Sequence, residues 1–159
     1  MSQIGLPETW RVCIFNQTGI TVSNKSGGSE TPPTVSGRRV RFDSTGTLSF
    51  EAASFTFFSV TSLSNNNNIG NNSYVVGSTW SNTVSGWLGG EFSISVGTLS
   101  NASGNVTVYL ETSVDGGTTW PSPASANGAG GGIILAVVGF ASTATASTAS
   151  TTRIVAFEL

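Results

Sequence analysis

Asn105-Val106-Thr107-Val108-Tyr109-Leu110-Glu111 is the stretch on which the fold class turns. Val106, Val108 and Leu110 fall on one side of an extended chain, and Thr107, Tyr109 and Glu111 on the other. A period of two belongs to a strand with one buried face. Glu91-Phe92-Ser93-Ile94-Ser95-Val96 repeats the pattern, with Phe92, Ile94 and Val96 inward. The Gly97 to Gly104 link supplies turn residues, so the two runs are expected to be neighbouring antiparallel strands. Glu91 and Glu111 then stand outward as solvated strand-face charges.

The same grammar extends in both directions. Upstream, Trp10-Arg11-Val12-Cys13-Ile14-Phe15 is short, β-rich and closed by the turn cluster Asn16-Gln17-Thr18-Gly19, with Ile20-Thr21-Val22 as a partner strand. Residues 25–37 hold Gly27-Gly28 and Pro32-Pro33 and read as a loop. In Arg38-Arg39-Val40-Arg41-Phe42-Asp43, Arg38, Val40 and Phe42 share one face and Arg39, Arg41 and Asp43 the other; Thr47-Leu48-Ser49-Phe50 follows as a second alternating segment. Phe55-Thr56-Phe57-Phe58-Ser59-Val60 has apolar groups on both sides, which predicts a central strand buried on both faces. Asn65-Asn66-Asn67-Asn68 and Gly70-Asn71-Asn72 form a loop tip, because Asn tolerates positive φ and bonds its own backbone. Ser73-Tyr74-Val75-Val76 starts a further strand, and Trp80 and Trp87 flank a turn at Ser85-Gly86.

Downstream, 133–140 is an apolar strand, 141–152 a Ser/Thr/Ala loop and 153–159 a last strand in which the chain ends. No segment sustains a 3.6-residue period. Many short strands separated by turn signals predict an all-β fold, an antiparallel β-sandwich of jelly-roll or Ig-like type with long Gly/Ser/Asn-rich loops. Residues 1–159 are expected to make one domain, with 1–8 as an extended N-terminal arm.

Composition narrows function by exclusion. The chain has no histidine, and Asp, Glu, Lys and Arg make up 9% of it, against about 25% in ordinary soluble domains. General acid–base and nucleophilic catalysis draw on groups that are nearly missing here, so no enzyme activity and no cofactor are expected. Cys13 is the single cysteine, so no internal disulfide forms, and its apolar surroundings read as a buried thiol. A net charge of −2 without a basic patch predicts no nucleic-acid partner. The longest apolar run falls far short of the ~20 residues that cross a bilayer, and the N-terminus lacks a secretory signal. A surface of hydroxyls, amides and glycine suits a protein packed against neighbours.

One local motif is specific. Ser113-Val114-Asp115-Gly116-Gly117-Thr118-Thr119-Trp120 resembles the Asp box of sialidases, S-x-D-x-G-x-T-W, at every defined position. Asp115 is expected to accept backbone N–H groups across a tight hairpin turn, and Gly117 to supply an unusual backbone angle. Ser113 and Thr119 add side-chain bonds, and Trp120 covers the base with an apolar face. In sialidases the box is a structural hairpin away from the catalytic centre. One copy in 159 residues is too little for a propeller of typically 4–8 blades, so the motif predicts a stable hairpin and not glycosidase activity.

Other candidates are fewer. Glu91 and Glu111 are the carboxylate pair that a small hydrolase would require, if their strands bring them together. Without histidine and with one cysteine no metal site is expected; Asp115 alone supplies too few oxygen ligands for calcium. Arg38, Arg39 and Arg41 form the only basic cluster, and with Asn66 and Asn67 they are the candidate partner contacts. Trp10, Trp80, Trp87 and Trp120 suit core and hairpin-closing positions, with a sugar-stacking platform as the other role.

Three stretches carry a resemblance: 10–19; the strand at 104–113 running into Asp115-Gly116-Gly117-Thr118-Thr119-Trp120-Pro121; and 154–159, which closes on a strand. In these the chain resembles small structural proteins of tailed-bacteriophage virions. The resemblance implies a β-sandwich that decorates or cements a capsid, or that sits in the tail. Its expected partner is a major capsid protein, bound as a homo-oligomer (trimer or dimer) on the capsid surface after synthesis in the host cytoplasm. The alternative is a tail or fibre module that binds host cell-surface glycans.

Overall fold

A computed structural model describes residues 9–23, 33–59, 68–82, 87–99, 102–120, 132–140 and 147–156. Among them the period-two patterning becomes eleven strands and no helix: β1 (Thr9–Gln17), β2 (Val22–Ser23), β3 (Thr34–Phe42), β4 (Leu48–Phe50), β5 (Phe55–Ser59), β6 (Asn68–Ile69), β7 (Ser73–Ser81), β8 (Gly89–Leu99), β9 (Gly104–Ser113), β10 (Ile133–Phe140) and β11 (Ser147–Ala156). One sheet runs β10-β9-β1-β7; the other runs β11-β8-β3-β4, with β5 on the other half of β3; β2 and β6 form a small ribbon. Every pairing is antiparallel. The chain is an all-β sandwich, as its alternation predicts.

The core lies between the sheets. Trp10, Val12 and Ile14 of β1 and Val106, Val108 and Leu110 of β9 face Val35, Phe57, Phe92 and Ile94 of the second sheet. Trp10 is its hub, with ring centroids of Phe57 at 5.2 Å, Trp80 at 6.0 Å and Phe92 at 6.3 Å. Each such side chain contributes about 1.5–3 kcal/mol when fully buried. β10 lies beside β11 and β5 beside β7, so the sheets approach each other along both sides. At the bulge of β7 opposite Val12, a Cβ on Gly77 would stand 2.8 Å from the Phe57 carbonyl oxygen and 2.9 Å from that of Val12, so only glycine fits.

Four expectations are corrected. β8 and β9 are not neighbours: they belong to different sheets, and β9 pairs with β1 and β10. β1, with Trp10, Val12 and Ile14 buried on one face and Cys13 and Phe15 on the other, lies between β7 and β9, and β9 supplies nine registered pairs, from Thr9↔Ser113 to Gln17↔Asn105. β3 begins at Thr34, inside the expected loop, directly after Pro33, where a proline costs no ladder bond. β11 begins at Ser147 within the expected Ser/Thr/Ala loop and pairs with β8 from Leu99 to Gly89. Thr is a good strand former even where hydrophobic alternation is missing. β5 is buried on both faces through Phe57 and Phe58, yet it ladders only with β3; its second side is covered by β7 packing and not by a strand pair. The expected arm at 1–8 lies outside the described residues.

Asn16 closes the end of β1. Its Nδ2 donates to the carbonyls of Ile20, Ile69 and Gly70, and its Oδ1 accepts from the Thr18 N–H and hydroxyl. Asn72 sits at φ 57°, the left-handed angle expected of the Asn-rich turn.

Candidate interaction surface

The outer face of β1 and β9 carries a second, smaller core. Arg11 and Glu111 oppose each other across β1 and β9. Glu111 is wholly buried; its Oε2 accepts from Arg11 Nε at 2.8 Å and from the Cys13 thiol at 3.2 Å, and its Oε1 accepts from the Tyr74 hydroxyl. Phe15, Tyr74 and Tyr109 surround the cluster. Gly132 lies against it: a Cβ there would be 3.1 Å from Glu111 Cγ and 2.7 Å from the Leu110 oxygen. Burial pushes the Cys13 thiol up to about 12, and burial followed by its bond to Cys13 raises the Tyr74 hydroxyl. Cys13 is therefore a protonated structural thiol at neutral pH. The expectation of a solvated Glu111 is wrong, because the outward side of β1 and β9 is itself apolar. Glu91 and Glu111 stand on outer faces of opposite sheets, so they are not a catalytic carboxylate pair.

The Asp box closes as designed but in a different setting. Ser113 Oγ donates to Asp115 Oδ1 at 2.7 Å and accepts from the Gly117 N–H at 2.8 Å; the Thr119 N–H reaches Asp115 Oδ1 at 2.8 Å. Gly117 has φ 93°. Trp120 Nε1 donates to the Gly117 carbonyl at 2.9 Å, and the Arg11 guanidinium lies 4.0 Å above the Trp120 ring. The bonds from Ser113 and then Thr119 hold the Asp115 carboxyl down at about 2. The motif forms a compact loop at the end of β9, and β9 pairs antiparallel with β10 from Leu110↔Ile133. Arg11 thus ties the loop to Glu111.

The three arginines of β3 separate. Arg38 lies on the outer face of the second sheet, over the Phe50 ring at 4.9 Å, and donates to Glu91 Oε2 from Nη2 at 2.8 Å. Arg39 points to the other face and is caged by Phe55, Trp80 and Trp87, with its Nε on Glu51 Oε2 at 2.8 Å and its Nη2 on Oε1. Arg41 is exposed and lies 4.9 Å over the Trp87 ring. Alternation sends Arg38 to one face and Arg39 and Arg41 to the other, and Arg39 is paired with Glu51. Asn66 and Asn67 lie outside the described residues.

Beyond Val40, β3 and β4 project as a hairpin. Asp43 Oδ1 nucleates its turn, accepting from the N–H groups of Thr45 and Thr47 and from the Thr45 hydroxyl; these bonds lower the Asp43 carboxyl. Phe42 (48% exposed), Leu48 (48%) and Phe50 (37%) form an apolar strip on one side of this arm. Ile133, Ile134 and Val137 of β10 and Val76 of β7 are further apolar groups exposed on edge strands. Trp10 and Trp87 are buried and Trp80 and Trp120 half-buried, which leaves no open indole platform among the described residues.

Eight charged side chains are engaged within the fold. Six are engaged in the pairs Arg11–Glu111, Arg38–Glu91 and Arg39–Glu51. Asp43 and Asp115 cap turns. Among the described residues Arg41 is stacked on Trp87. No group of three or more His, Cys, Asp or Glu there is arranged to hold a metal, and no helix is long and apolar enough to cross a membrane. In comparison with known proteins, the chain matches no family model, no curated protein and no solved structure.

Proposed function

We infer that this protein is a virion structural protein of the capsid-decoration type, which docks on the outer surface of a major capsid protein and stabilises the head. The observation that supports the reading is that eight charged side chains are engaged within the fold, six in three ion pairs and two capping turns. The groups offered to a partner include a neutral polar surface, the exposed apolar side chains of the β3–β4 arm and the Arg41 cation. Contacts of that kind lose little strength in salt, and many copies on a symmetric shell add their affinities without new chemistry. Arg41 is the side chain assigned to the capsid, since Arg is favoured at interfaces and Trp87 holds it in place.

The test is co-sedimentation of the purified chain with mature capsids that lack it. Saturable, stoichiometric binding that persists in high salt is expected, and Arg41→Glu should weaken it. Failure to sediment overturns the reading. Binding to a glycan array in place of capsids assigns the chain to a tail or fibre instead.

A further inference from the structure

The free edge of β4 carries a self-complementary code. The Glu51 N–H reaches the Arg39 carbonyl at 2.9 Å and the Asp43 N–H reaches the Thr47 carbonyl at 2.9 Å. Arg41 is registered with Ser49 between them. In an antiparallel ladder the bonded pairs alternate, so Thr47, Ser49 and Glu51 turn their backbone groups toward β3. Leu48 and Phe50 turn theirs away, and among the described residues no strand pairs with that side of β4. Residues 47–50 contain no Lys, Pro or bulge, so of the devices that guard natural edges β4 has only its short length of three residues.

We propose that this edge binds a second copy of the same chain, β4 against β4 about a two-fold axis through Ser49. Leu48 then faces Phe50 of the partner subunit, and Phe50 faces the partner's Leu48. Both are bonded pairs, so the two outward N–H and two outward C=O groups of each copy are satisfied together. Residues directly opposite share a face. Phe42, Leu48 and Phe50 of one copy therefore continue into the equivalent strip of the other, and apolar groups now half exposed become covered. Charge allows the approach: Arg38, which flanks the strip over Phe50, is neutralised by Glu91. Arg41 alternates to the opposite face with Ser49, so the two Arg41 side chains of the pair project together on one side. The proposal does not rest on the capsid reading, and its test contains no capsid.

Across the two-fold axis the Ser49 pair is non-bonded, with Cα atoms about 4.5 Å apart, inside the range a disulfide spans. Ser49→Cys should therefore form a disulfide-linked dimer in air on non-reducing gels, on the order of tenfold more completely than Ser44→Cys at the hairpin tip, far from the axis. Light scattering should give the wild type twice its 16.3 kDa chain mass. Leu48→Lys, at a half-exposed position, should give the single-chain mass with an unchanged far-ultraviolet circular dichroism spectrum. A wild type that stays monomeric at high concentration, a Leu48→Lys variant that stays dimeric, or equal crosslinking at Ser49→Cys and Ser44→Cys overturns the proposal.

Discussion

Glu111 and Glu91 are each paired with an arginine directly across a strand ladder, and each stands on the outer face of its sheet. Their surroundings separate them. Glu111 is wholly buried under Phe15, Tyr74 and Tyr109, and Arg11, Cys13 and Tyr74 all donate to it. Glu91 has one partner, Arg38, and that pair is open to water, with side chains 43% and 28% exposed. The same pair of residue types is a structural lock in one place and a surface decoration in the other. What decides is the neighbouring apolar area, since removing one member of a buried pair strands the other charge without water.

The comparison is broken most directly at Glu111. Glu111→Ala should cost about 3–5 kcal/mol, which for a chain of this size lowers Tm by roughly 6–20 °C in calorimetry. A loss below about 1 kcal/mol, the value of an exposed pair, would erase the distinction. Arg39→Ala tests the intermediate case. The Arg39–Glu51 pair has 15% of each side chain exposed, and three aromatic rings cage the cation. Its loss should cost about 2 kcal/mol in urea unfolding, the scale of a charge-assisted hydrogen bond with a cation–π contact. Arg38→Ala should change stability by no more than about 1 kcal/mol.

The smallest effect is one of pH. The folded Asp115 carboxyl lies at about 2, below its ordinary 3.8. The group therefore contributes stability that is complete above about 4, near the unfolded carboxylate value, and is lost as pH falls toward about 2. The loop at 113–120 should loosen over that window, followed by Trp120 fluorescence. Asp115→Asn should remove that part of the acid profile, while Asp43→Asn, at the other lowered carboxyl, should leave Trp120 unchanged.

Legibility followed local information. The alternation of 91–96 and 105–111 placed Phe92, Ile94, Val106, Val108 and Leu110 in the core, because period two is a property of a single strand. The Asp box gave its own bonds, since its motif lies within eight residues. Neighbour choice was not local: β8 and β9 follow one another but lie in different sheets, because β1 claimed β9. A signal for the outer core was present. Cys13 and Phe15 are apolar on the side of β1 opposite Trp10, Val12 and Ile14, which marks a strand covered on both faces. It also marks Glu111, level with them, as buried, with Arg11 largely covered beside it. Nothing in the pattern of 38–43 distinguishes the caged Arg39 from the exposed Arg41; that depends on Glu51 and three aromatic rings from other segments. The Asp43 turn resembles the Asp box in mechanism but carries no recognised motif.

Cys13 gives the chain a practical property. Its sulfur is fully enclosed, donates to Glu111 and stays protonated far above neutral pH. Alkylating dyes and maleimide tags attack thiolates that solvent can reach, so they will pass over the native thiol while the fold holds. A cysteine introduced at the surface can then be modified alone, without replacing Cys13, and the onset of dye uptake by the unaltered chain becomes a clock for the opening of its outer core.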